Sequence, residues 1–241
     1  MDYLDHVAAV ERELGTITTA LAAGPLDVRV PTCPDWTLAD LTKHLGEFAG
    51  FWTHVLCEGT GRAKTPFPDP PSGAALAPWF AEVSPHLLTG LRATPPETEV
   101  WTWKPDDHSA RFIARRCAHE LAVHRFDAQT ARGTADPIEP GLAADGIDEI
   151  FVMMSVGVRS SGQASGETIH LHATDSGDEW LLTLHPKGVD VERRHAKADL
   201  ALRGAVSDLE LVLYQRPPGA EVERLGDQGV IAAFYREFTF G

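Results

Sequence analysis

The sequence holds three cysteines, Cys33, Cys57 and Cys117, an odd number with no Cys-x-x-Cys pair. That argues against a disulfide scaffold. It has no apolar stretch approaching the roughly 20 residues of a membrane span. The opening Met1-Asp2-Tyr3-Leu4-Asp5-His6 is acidic and lacks the charged-then-apolar layout of a signal peptide, so a cytoplasmic location is expected. Basic charge is scarce: 21 Lys and Arg stand against 35 Asp and Glu, a formal net charge of −14. Such a balance repels a phosphate backbone, so no nucleic-acid partner is expected, and the lack of a long apolar stretch leaves no membrane partner expected either. Internal repeats and low-complexity linkers are absent as well. What remains is 43% hydrophobic and 23% charged over 241 residues, the composition of one large globular domain or two modest ones.

Apolar spacing predicts helices through the first half. Residues 2–23 alternate at helical period and stop at Gly24-Pro25. The segment Val30 to Trp36 reads as a loop, and Thr37 with Asp40 three later is a capping-box pattern opening a second helix to about Cys57. Thr65-Pro66-Phe67-Pro68-Asp69-Pro70-Pro71 excludes regular structure. A third helix is expected over 73–93, disturbed by Pro78 and Pro85, and a fourth over 109–132. One more, from Leu142 to about Val158, completes an all-helical first half.

The second half changes character. Ile169, Leu171 and Ala173 alternate with polar residues, and the turn Asp175-Ser176-Gly177-Asp178 joins them to Trp180–His185 as a hairpin. Further strands are expected near 188–193 and 197–202, then a helix at Ser207–Leu213. His170, His172 and His185 fall on these strands, read as polar residues on the open face of an antiparallel sheet. The class is therefore α+β: a helical bundle over 1–160 and a small α+β domain over 161–241.

Two helices of the bundle carry metal-type side chains where apolar surface belongs. His44 falls inside the series Leu41, Phe48, Phe51 and Val55. On the fourth helix Ile113, Cys117, Glu120, His124 and Asp127 form one stripe. Glu120 and His124, four apart, project side by side. Carboxylates are rarely buried unless paired or metal-bound. Two readings follow: a three-ligand site leaving a tetrahedral cation one open position, or an ion pair inside a bundle. A zincin motif is excluded, because His119 and His124 are five apart and point about 140° away from each other. Asp127 is placed to orient a histidine, and Trp36 and Trp52 are candidates to line the site.

Pro31-Thr32-Cys33-Pro34-Asp35-Trp36-Thr37 ahead of Leu41-Thr42-Lys43-His44-Leu45 closely resembles the opening motif of the mycothiol-dependent maleylpyruvate isomerase family. Ala118 to Ala128 is similar to its second motif, Ala144 to Glu149 to the start of its last bundle helix, and Arg203 to Leu209 to its C-terminal domain. The match runs in order through nearly the whole chain. The resemblance implies a DinB-like four-helix bundle followed by a domain related to sterol carrier proteins. It also implies a divalent metal, usually Zn2+, held by His44, Glu120 and His124. A C-terminal arginine is implied to bind the acidic substrate: Arg216 matches best although Gln215 stands where the family often has Gly, and Arg203 is its rival.

Mycothiol, the thiol cofactor so implied, adds to the conjugated cis double bond of a maleyl-type substrate. Rotation and elimination then release the trans isomer, whereas conjugation to another electrophile would stop at addition. Either way the expected partners are mycothiol and a small-molecule electrophile, and the expected state is a monomer or homodimer. Two other classes stay open on the residues alone: a hydrolase with metal-bound water, and a non-enzymatic ligand-binding module.

Overall fold

The computed structural model describes residues 1–63, 67–157 and 162–238. Thr65-Pro66, the helix end expected at Val158 and the boundary expected after residue 160 lie outside the described residues. The chain forms two compact units, Met1–Asp136 and Pro137–Gly241.

Among the described residues the first unit is four α-helices, one short 3-10 turn (Gly73–Ala75) and a short ribbon. Helix α1 (Tyr3–Ala22) packs on α4 (Ala110–Arg132) and α3 (Leu76–Ala93), while α2 (Leu38–Glu58) packs on α3 and α4. That closes a four-helix bundle. The segment read as a loop is a two-stranded ribbon, β1 (Arg29–Val30) against β2 (Cys33–Thr37). It leads straight into α2, whose capping box is present: Asp40 N donates to Thr37 Oγ1 at 3.3 Å and Thr37 N to Asp40 Oδ2 at 2.9 Å. These bonds satisfy amide groups that the first helical turn leaves without carbonyl partners.

The buried face of α2 is Leu38, Leu41, Leu45, Ala49, Trp52 and Leu56. Of the expected stripe, Leu41 and Val55 are fully buried, whereas His44, Phe48 and Phe51 are half-buried along the rim. Helix α4 is buried almost all round from Arg116 to Gln129. Its polar groups are matched in place. Arg125 Nε donates to Glu13 Oε2 on α1 at 2.9 Å, and Arg125 Nη1 to Gln129 Oε1 at 2.8 Å. Such pairing is what lets charged groups enter a core.

Among the described residues the second unit is a five-stranded sheet ordered β5-β4-β3-β6-β7 with three helices. Strands β3 (Thr168–Ala173), β4 (Glu179–His185) and β5 (Gly188–Glu192) form an antiparallel meander. Strand β6 (Leu200–Gly204) pairs parallel to β3, so the sheet is mixed rather than antiparallel throughout. Edge strand β7 (Glu223–Gly226) and helix α7 (Gly229–Glu237) went unexpected. All four β7 residues are exposed, so no apolar alternation announces them. Helix α6 (Val206–Leu213) packs on β3 and β6 and is buried along its whole length.

Helix α5 (Pro140–Gly157), expected as part of the bundle, groups with the sheet unit and packs on α6 and β5. A polar clasp holds it there. Asp148 accepts from Trp180 Nε1 at 2.8 Å and from Arg193 Nη2 at 2.6 Å. No described helix is long and apolar enough to cross a membrane.

Candidate metal centre

His44 from α2 and Glu120 and His124 from α4 converge inside the bundle unit. Each offers one donor atom, and the three atoms lie within 4.8 Å of one another. His44 Nε2 is 2.9 Å from Glu120 Oε1, and His124 Nε2 is 3.4 Å from that same oxygen. A tetrahedral cation with donors at about 2.1 Å spaces them roughly 3.4 Å apart. The residues present therefore fit a divalent metal by donor type and proximity: two imidazole nitrogens and a carboxylate oxygen.

The surroundings sort the three groups. His44, with 35% of its side chain exposed, faces the rim, while His124 at 11% sits deeper. Asp127, one turn on and fully buried, lies 2.8 Å from His124 Nδ1 through Oδ2. This contact occupies one ring nitrogen and leaves Nε2 for the cluster, as in metal-ligating histidines generally. Glu120 Oε2 accepts from buried Arg116, the residue one turn back on α4. One carboxylate oxygen thus faces the histidines and the other a fixed cation.

These contacts set the protonation. Burial opposes charge on Glu120, but Arg116 and the hydrogen bonds of His124 and His44 outweigh it and hold the carboxyl well below its usual range. Burial likewise disfavours charged His124, yet Asp127 and Glu120 prevail and raise it to about 9. A metal bound at Nε2 would have to displace that proton.

The ribbon supplies the lid of the cluster. Leu38 N donates to Val28 O at 2.9 Å and Ala39 N to Leu26 O at 2.8 Å, fixing how β2 enters α2. Trp36 on β2 then stands 5.1 Å from the His44 ring and stacks on His124 at 6.0 Å. Cys33 Sγ is 3.6 Å from Asp127 Oδ2. Trp52, the other tryptophan considered, is core, packed against Phe48, Phe51 and Trp101. Cys117 is fully buried, and His119 is buried edge-on to His6 at 5.9 Å.

Arg116 went unnoticed as a site residue, although its four-residue spacing from Glu120 is the ordinary signal of a helical ion pair. Arg203 and Arg216 belong to the other unit. Arg203, on β6, is exposed and 3.4 Å from Glu223. Arg216 follows α6, donates Nη1 to Tyr214 O at 2.9 Å and lies 6.0 Å from the Tyr214 ring.

Residues 7–129 match the family model described as the mycothiol maleylpyruvate isomerase N-terminal domain. A crystal structure of the mycothiol-dependent maleylpyruvate isomerase is similar over 93% of each chain, with a TM-score of 0.66 and 13% sequence identity. A single-substitution variant of that enzyme is similar over 88% of each chain, with a TM-score of 0.63 and 13% identity. At that identity the likeness establishes the fold, an α+β chain with a DinB-like bundle followed by a C-terminal domain. No curated protein matches the sequence significantly.

Proposed function

Because the chain belongs to the mycothiol maleylpyruvate isomerase N-terminal domain family, we propose that it is a metal-dependent enzyme using mycothiol on a small electrophile. The reaction is cis–trans isomerisation of a maleylpyruvate-like substrate or transfer of mycothiol to another electrophile. One observation carries the reading: three donor atoms within 4.8 Å, from His44, Glu120 and His124, at the half-open rim of the bundle. When bound, a divalent cation of the zinc class supplies the charge that keeps a thiol ionised at neutral pH.

The chain's own side chains do the remaining work. Asp127 holds His124 with Nε2 turned inward, and Arg116 balances the Glu120 charge that faces away from the histidines. Trp36 and Phe48 flank His44 at ring distances of 5.1 and 6.4 Å. Arg216 is assigned to the substrate carboxylate, because a guanidinium matches a carboxylate through two parallel hydrogen bonds. Arg203, already facing Glu223, is the alternative.

Elemental analysis of wild type beside His44→Ala and Glu120→Ala is the first test, with each variant expected to hold one zinc equivalent fewer than the wild type. Zinc-loaded protein that fails to bind mycothiol in calorimetry would overturn the reading. Ester cleavage without added thiol would move the assignment to a hydrolase. Arg216→Ala should raise KM for an acidic substrate far more than Arg203→Ala does.

A further inference from the structure

A second convergence of histidines lies in the C-terminal unit and owes nothing to the site above. His170 and His172 stand two apart on β3 and so share one face of the strand. Glu179, the first residue of β4, is directly across from His172 in the antiparallel register. Its Oε2 is 2.7 Å from His170 Nε2 and 2.5 Å from Nδ1 of His195, which follows β5. Its Oε1 is 3.4 Å from His172 Nδ1. One carboxylate thus gathers three imidazoles.

The geometry is built rather than incidental. His170 is only 5% exposed, so the face expected to be open to solvent is closed at this position. The segment bearing His195 is fastened on both sides. Before it, Arg193 binds Asp148 and Asp178, each at 2.6 Å. After it, Asp199 Oδ2 accepts from Thr168 N at 2.9 Å and Thr168 Oγ1 at 2.8 Å. Those anchors set His195 over the sheet, with its ring 5.1 Å from that of His170. Donor atoms of His170, Glu179 and His195 all lie within 4.8 Å of one another. Glu179 Oε2 stands closer to both His170 and His195 than the roughly 3.4 Å spacing of a tetrahedral ion; exposed His195 has room to yield, and the half-buried Glu179 carboxylate has to turn away from His170.

We propose that His170, Glu179 and His195 form a second divalent-cation site of the zinc class, with His172 beside it against the other oxygen of Glu179. Imidazole with carboxylate selects zinc, copper or nickel over magnesium or calcium, which prefer all-oxygen shells. The ion ties the segment between β5 and β6 to the β3–β4 hairpin, two pieces that are separate in sequence.

The test uses the full chain with zinc chloride as probe, reading stoichiometry by elemental analysis and affinity by calorimetry. The variants are His195→Ala, Glu179→Gln and His44→Ala, and circular dichroism checks each fold. Two equivalents are expected in the wild type, one in His44→Ala and one in His195→Ala. Losing a direct ligand should weaken that equivalent more than about 100-fold, since even outer partners account for 10–100-fold. Magnesium should not compete. His195 is exposed, so its replacement leaves folding intact, and Glu179→Gln must reproduce the loss. The proposal is overturned if His44→Ala binds no zinc, or if His195→Ala retains the full wild-type stoichiometry and affinity. Failure of the bundle site shows up differently: His44→Ala would then keep every equivalent that the wild type binds.

Discussion

Asp127 holds the Nδ1 side of His124 at 2.8 Å, one helical turn along α4 and wholly out of solvent. A carboxylate in that position fixes the ring's orientation and raises its basicity as a ligand. Asp127→Asn should keep the fold, judged by circular dichroism, and weaken zinc binding about 10- to 100-fold. Unchanged affinity in a zinc titration would show that Asp127 serves packing alone.

The same contact gives chelator-treated protein a definite pH response. His124 is raised to about 9 from an ordinary value of 6.5. Its contribution to stability is therefore complete below about pH 6.5 and is lost as pH rises through about 9, because the folded chain binds the extra proton. Tm should fall across that window, and His124→Gln should flatten the fall. Zinc affinity should rise over the same interval as the competing proton leaves.

Arg125 and Glu13 join α4 to α1 through a buried pair, 4% and 3% exposed. Removing one partner strands a charge in the core, so Glu13→Ala should cost about 3–5 kcal/mol. Replacing both residues with apolar ones of similar volume should recover most of that loss. Urea unfolding measures both, and a cost under about 1 kcal/mol would class the pair with surface salt bridges.

Gly226 ends β7 at φ 106°, and a Cβ there would sit 2.1 Å from the Asp199 carbonyl oxygen. Neither the dihedral nor the backbone contact can be relieved by turning a side chain. Gly226→Ala should destabilise the C-terminal unit by about 2 kcal/mol or more. Thermal unfolding followed at Trp180 would report it, and an unshifted transition would mean that the β6–β7 edge rearranges freely.

Much of the bundle was legible because its signals are local. The Thr37 and Asp40 cap, the four-residue step from Glu120 to His124 and the break at Gly24-Pro25 all act within one or two turns. The β3–β4 hairpin was legible for the same reason, since a short polar turn joins two alternating runs. Strand β7 was not, because an exposed edge takes its conformation from backbone pairing with β6 and leaves no apolar period. Nor was the partner of α5, since an amphipathic helix shows that it has an apolar face and not which surface covers it.

Side-chain chemistry and chain order settle which residues are capable of ligation: His44, Glu120 and His124 are the wrong residues for an apolar stripe unless something pairs them. Only the tertiary structure decides their grouping, placing His44 beside a pair 76 positions away. It also assigns the second-tier contacts, with Trp36 over the rings, Asp127 behind His124 and Arg116 behind Glu120. In the other unit it draws His195 to His170 and Glu179, a meeting that alternation along β3 cannot express. The physical reason is range. Helix and strand period follow from neighbouring residues, whereas a buried charge is tolerated only by partners that distant packing delivers.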